Sequence, residues 1–231
     1  MAYIIGIDVG TSGTKTVLFD ETGKKIRSWT GEYPLYQPQN GWAEQDPEDW
    51  WQATLNGLRT VSEGIPAEEI RGIGLSGQMH GLVMLDAEGR VLRRSIIWCD
   101  QRTAEECVQL TNLVGADTLM NITKSPAVTG FTASKILWVR NHEPEIFERC
   151  RKILLPKDYI RYRLTGEFAT DVSDASGMQL MDIAKRCWSD VVLDRIGLDK
   201  GLLGKLYESA EVTGGLTAGV AKQTGLPQVR S

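Results

Sequence analysis

The chain has 231 residues, 42% of them hydrophobic, and a formal net charge of −4. That hydrophobic share supports a sizeable buried core, and the mixed, slightly acidic charge argues against a nucleic-acid or anionic-membrane surface. No apolar run approaches the ~20 residues needed to span a bilayer, no signal-peptide core precedes Asp8 and Gly10, and Cys99, Cys107, Cys150 and Cys187 lack metal-site spacing, so the expectation is a cytoplasmic protein with reduced, mostly buried thiols.

Three strands open the chain: Tyr3–Asp8, Lys15–Asp20 and Lys25–Thr30. Between the last two, "DETGK" places Asp20 at the start of a type I turn and Gly23 at a left-handed close. "LVMLDAEGRVL" (82–92) echoes "TVLFDETGKKI" (16–26), which predicts a second hairpin rather than a solenoid. Between them "DPEDWWQATLNGLRTVSEG" carries Asp46 as N-cap, Pro47 at the first helical position and Gly64 as terminator. Trp51, Leu55, Leu58 and Ser62 form one stripe, with Trp50, Thr54 and Val61 beside it. A strand at Ile70–Leu75 follows. Beyond Asp100 the chain turns helical: Arg102–Val114 ended by Gly115, Thr132–Arg140, Pro156 to Gly166, a helix capped by Ser189, and Leu216–Gly225. Strands feeding helices with no low-complexity linker predict one α/β domain with insertions.

The stretch "IGIDVGTSGTK" (5–15) raises the functional question. A Walker A loop needs Gly directly before Lys and a helix after it, and a dinucleotide fingerprint also opens a helix. Here Thr14 precedes Lys15 and strand residues follow. The alternative is a β-hairpin tip, Gly10-Thr11-Ser12-Gly13, whose glycines permit an anion nest of backbone N–H groups. Thr11 and Ser12 add hydroxyls and Lys15 a charge. Asp8 would repel a bare phosphate and makes sense with Mg²⁺ between them; a plain tight hairpin whose Asp8 caps its own turn is the bland alternative. "GQMHG" (77–81) lies at a strand end, where Gly77 and Gly81 would let the backbone approach a ligand, and Gln78 and His80 suit polyol hydroxyls. His80 reads equally as a hydrogen-bonded turn histidine. In "IIWCDQR", Trp98 offers a stacking face and Asp100 a carboxylate for hydroxyls, or a core indole and a helix cap. Asp171 and Asp174 read as turn and cap residues, and His142 carries no assignment.

The D-x-G-T-S-G-x-K hairpin resembles the first phosphate motif of the actin/hexokinase/heat-shock-70 ATPase superfamily. With "GLSGQMHGLVMLD", "IIWCDQRT", "FTASKILWVRNHEPE" and "LLPKDYIRYRLTGEFATDVSDASGMQLMD" in order, the whole chain resembles the FGGY carbohydrate kinases, and "SGQMHG" is most similar to the branch acting on xylulose. The resemblance implies a ribonuclease-H-like domain with a mixed five-stranded sheet, helices on both faces and a helical or hairpin insertion. It implies ATP and Mg²⁺, with Asp8 organising the metal and Gly10, Thr11, Ser12, Gly13 and Lys15 holding phosphate. Gln78, Met79, His80, Trp98 and Asp100 would hold a ketose, D-xylulose, converted to D-xylulose 5-phosphate. The alternatives are another sugar or polyol, or a non-catalytic sugar-binding or actin-like module. In the family a Gly-rich loop further on carries the general base, and no Gly-Gly-x-Asp stretch occurs in residues 1–231. The expectation is therefore an amino-terminal domain without its carboxy-terminal ATP-binding domain, inactive alone, with homodimer formation possible through the exposed docking face.

Overall fold

The computed structural model describes residues 2–227. In Tyr3–Val9 (β1), Ile5, Ile7 and Val9 are buried while Ile4 and Asp8 are exposed, the period of two that sends successive side chains to opposite faces. Gly13–Asp20 (β2) returns antiparallel with Lys15 opposite Asp8, and Lys25–Glu32 (β3) pairs outside it. The turn between them has the expected chemistry. Asp20 accepts from the Thr22 and Lys24 amides at 2.9 and 3.1 Å, and Gly23 takes φ +81°. The echo repeats it: Asp86 accepts from the Glu88 and Arg90 amides at 3.0 and 2.9 Å, with Gly89 at φ +76°.

After the short strand Glu44–Gln45 (β4), helix Pro47–Ser62 (α1) starts at Asp46, whose side chain accepts from the Glu48 amide. Its buried face, including Trp50, Trp51, Leu55, Leu58 and Val61, packs on Ile5, Ile7, Val9 and Leu18. Strand Ile70–Gly77 (β5) then lies parallel to β1, giving the order β3-β2-β1-β5. Short strands Val83–Leu85 (β6) and Ser95–Ile96 (β7) lead into helices Ala104–Val114 (α2), Ala116–Thr123 (α3), Thr132–His142 (α4) and Pro144–Arg149 (α5). Strand Lys152–Leu154 (β8), helix Pro156–Thr165 (α6), strand Ala169–Asp171 (β9) and helix Val172–Ala175 (α7) follow. The ribbon Met181–Asp182 (β10) with Cys187–Trp188 (β11), helix Asp190–Ile196 (α8), strand Lys205–Tyr207 (β12) and helix Ala218–Thr224 (α9) complete the described chain.

Two cores result, and β6 with β8 forms the wall between them. Leu82, Met84, Ile153 and Leu155 enter the core of the helical insertion, while Val83, Leu85 and Leu154 enter the core beneath the sheet. Strand periodicity with both faces buried produces this division.

The mixed α/β class holds, and four details differ from expectation. The sheet has four strands rather than five among the described residues, because the three-residue β8 pairs antiparallel with β6 instead of extending β5. The outer edge of β5 lines a cavity of about 480 Å³ shared with Lys157, Arg161, Asp171 and the segment 208–213. Helices α1, α6 and α9 share one face of the sheet rather than covering both. The opposite face carries Ile4, Gly6, Asp8, Lys15, Val17, Phe19, Gly72, Gly74 and Ser76 by register, a small apolar patch of Ile4, Val17 and Phe19 set among glycines and polar residues. Gly115, at φ +85°, ends α2 as expected, but a further helix, α3, begins at once. Among the thiols Cys150 is buried, Cys99 and Cys107 are half-buried and Cys187 is exposed.

Candidate active site

The hairpin tip between β1 and β2 projects Asp8, Ser12 and Lys15 to solvent and closes with the Gly10 amide donating to the Gly13 carbonyl at 3.1 Å. Neither glycine adopts a positive φ, so the reason for glycine is close approach. A Cβ on Gly13 would lie 2.5 Å from the Gly31 carbonyl oxygen, and one on Gly10 would lie 3.1 Å from that of Gly13. Gly77 and Gly81 serve likewise: their missing Cβ atoms make room for Val9 and Pro156, parts of the protein itself, rather than for a ligand.

The hairpin is braced from beneath by residues that the motif does not reveal. Gln45, buried at the end of β4, donates to the Thr11 carbonyl at 2.7 Å and accepts from Trp50 Nε1 at 3.1 Å. Gln78 donates to Gln45 Oε1 at 2.8 Å and to the Gly10 carbonyl at 3.3 Å. The Tyr33 hydroxyl donates to the same Gly10 carbonyl, and burial, reinforced by the nearby Asp8 charge, pushes its phenol up to about 12. Gln78 therefore faces the hairpin, 5% exposed, with its Oε1 buried and unpaired in the described structure.

Opposite the hairpin, Met79 and Trp98 are 43% and 42% exposed. The Trp98 indole N–H donates to Thr11 Oγ1 at 2.9 Å, joining the expected sugar platform to the expected phosphate loop. His80 stands at φ +64°, with its ring against Phe131 at 4.3 Å between centroids. Thr132 Oγ1 and Lys135 Nζ both donate to its carbonyl, at 3.1 and 2.8 Å. Burial, and then the neighbouring Lys135 charge, push the imidazole down to about 4. Gly177, beyond α7, lies against this ring so closely that a Cβ there would overlap Cε1 and Nδ1.

Asp100 sits apart from this cleft. It is fully buried, and its oxygens accept from the Ala43 amide at 2.6 Å and from the Arg102 amide and guanidinium at 2.7–3.0 Å. Arg102 itself lies over the Trp42 ring at 3.7 Å. Asp100 thus organises the loop behind Trp98, and no oxygen is left over for a hydroxyl. Asp171 caps α7 and pairs with Lys157 and Arg161, while Asp174 pairs with Lys157 at 2.8 Å, as turn and cap readings expect. Gln45 and Tyr33 lie in no singled-out stretch, and Phe131, Lys135 and Gly177 lie in stretches singled out only for their resemblance; each reaches the site only through the tertiary fold.

A mixed α/β domain of the actin-like ATPase type, with β1 and β2 joined by a tight hairpin, defines the structural class, and solved structures share the fold. A xyloylose kinase from Brucella ovis superposes with a TM-score of 0.92 at 41% identity, over 99% of this chain and 47% of that one. A gluconate kinase from Lactobacillus acidophilus superposes at 0.93 with 31% identity, over 99% and 46%. A xylulose kinase from Escherichia coli K12 is 46% identical over 225 residues, 97% of this chain and 46% of that protein. The chain belongs to the FGGY family of carbohydrate kinases, whose N-terminal-domain model matches residues 3–230. It spans about half the length of these relatives.

Proposed function

We propose that the cleft between the Gly10–Gly13 hairpin and the Met79–His80 turn takes the phosphates of ATP on one side and a small ketose on the other. The complete kinase then moves the γ-phosphoryl group to a hydroxyl of D-xylulose, giving D-xylulose 5-phosphate. The observation that carries this reading is the Trp98–Thr11 hydrogen bond at 2.9 Å, which sets an exposed indole beside the hairpin. The name of the Escherichia coli relative supports the choice of sugar.

Phosphoryl transfer asks for positioning and charge neutralisation more than covalent chemistry. The exposed Ser12 and Lys15, with the backbone of Gly10–Gly13, supply donors and charge for the phosphates. Asp8 is a single exposed carboxylate across the ladder from Lys15, and the described residues hold no cluster of three or more metal-ligating side chains. That donor set fits Mg²⁺, which binds through one or two carboxylates plus substrate phosphates and keeps its waters. Bound there, it would neutralise the charge that builds on the transferred phosphoryl group. Met79, the Trp98 face and the His80 imidazole hold the ketose, with Gln78 and Asp100 bracing the walls behind them.

A substrate screen with ATP on the complete kinase tests the reading. Preferential turnover of D-xylulose is expected, and turnover of no ketose would remove it. The likeness to the Lactobacillus acidophilus gluconate kinase supports a second reading, a sugar acid in the same cleft, so gluconate belongs in the panel.

A further inference from the structure

Lys135 is fully buried in the first turns of α4, yet it pairs with no carboxylate among the described residues. Its Nζ instead donates to two backbone carbonyls, those of His80 and Gly130, each at 2.8 Å. Burying an ammonium group this way is expensive, and a methionine of similar length would fill the space without that desolvation. A side chain kept at such a cost points to a task, and the two carbonyls show what it is. His80 is one of four described non-glycine residues at positive φ. A left-handed conformation is costly for such a residue and persists where surroundings over-determine it. Gly130 is tucked against the far wall of the cleft, since a Cβ on it would stand 2.9 Å from the Trp98 carbonyl oxygen.

We propose that Lys135 is a positioning residue: by drawing the His80 and Gly130 carbonyls onto one amine, it fixes both the turn that aims the imidazole and the spacing between His80 and Trp98. Its consequence for the ketose rests on the sugar-kinase reading; its consequence for His80 does not. The groups acting electrostatically on the amine are Asp100, Cys99 and Arg102, and burial outweighs them to leave it at about 7. The hold therefore weakens as the amine loses its proton, because hydrogen bonds from a charged donor are the stronger ones.

The chain has two histidines, His80 and His142, so imidazole ¹⁵N signals of the labelled protein report on His80 directly, with His142→Gln making the assignment. In Lys135→Met the His80 signals should shift while those of His142, which lies at the other end of α4 against Trp138, stay in place. Lys135→Arg should restore part of the shift. D-xylulose affinity should fall about tenfold to a hundredfold in Lys135→Met, with phosphate-side binding unchanged. A folded Lys135→Met protein with unmoved His80 signals would overturn the proposal. Should that variant not fold, Lys135→Gln, which keeps a polar end but neither the charge nor the reach to both carbonyls, must move the His80 signals, and its failure to do so overturns the proposal equally. Shifted His80 signals in a protein that binds no ketose would uphold the positioning role and defeat the sugar reading.

Discussion

His80 illustrates how much a single residue here depends on its neighbours. Its ring has Phe131 on one side and Gly177 against its edge, so the space it occupies is already full. Gly177→Ala should therefore rotate the imidazole away without unfolding the chain, since Gly177 does not sit at positive φ. Calorimetry should show ketose affinity down about tenfold or more, with circular dichroism unchanged; undiminished affinity would take His80 out of the sugar site. The same burial predicts a pH effect. The folded imidazole resists protonation down to about 4, against 6.5 for the free side chain. Between those values the unfolded chain binds the extra proton, so stability falls as pH drops through that window. Urea midpoints measured across it should fall less steeply for His80→Asn than for the unmodified chain. Asp8→Ala belongs to the same scale: in the complete kinase it should abolish xylulose phosphorylation while ketose binding survives, and near-normal turnover would rule Asp8 out.

Glycine placement governs how the elements fit. Gly57 lets α1 press onto the sheet, because a Cβ there would overlap Thr16 and stand against Trp29. Gly57→Ala gains up to about 1 kcal/mol in helix propensity but overpacks a tight contact at about 1–3 kcal/mol. The net expectation is a lower denaturant midpoint, and an unchanged or raised one would show that α1 shifts freely. Elements were legible wherever chemistry is local. Asp46 and Pro47 announce α1, Gly166 at φ +80° ends α6, and Ser189 accepts from the Val192 amide to cap α8. The hairpin Asp8–Lys15 and the turn Met79–His80 were equally readable, because each is one continuous stretch. What stayed hidden was pairing across distance. Gln45 reaches Thr11 over 34 positions and Lys135 reaches His80 over 55, and no local pattern encodes such contacts. Asp100 stays between a hydroxyl-binding and a capping role for the same reason: only the fold reveals Ala43 and Arg102 engaging its oxygens, which favours the structural role.

Across the whole molecule, one face of the sheet is covered by helices and the other leaves Ile4 51% exposed beside Asp8 and Lys15. Among the described residues no helix is long and apolar enough to cross a membrane. The cleft itself is built from one side by the elements described, with hairpin, Trp98 and His80 already in register. On the proposed reading the complete kinase supplies its general base from outside residues 1–231, which contain no Gly-Gly-x-Asp loop, and such a base typically contributes about 10²–10⁴-fold. The 231-residue chain should therefore bind ketose without releasing ADP in a coupled assay, and xylulose-dependent ADP release would direct attention to Asp174. The most direct test of the central claim is a calorimetric titration of this chain with D-xylulose, run beside His80→Ala and Trp98→Ala. The account predicts weak, saturable heat that both substitutions remove. No heat with xylulose or any other ketose, or heat that both variants retain, would contradict it.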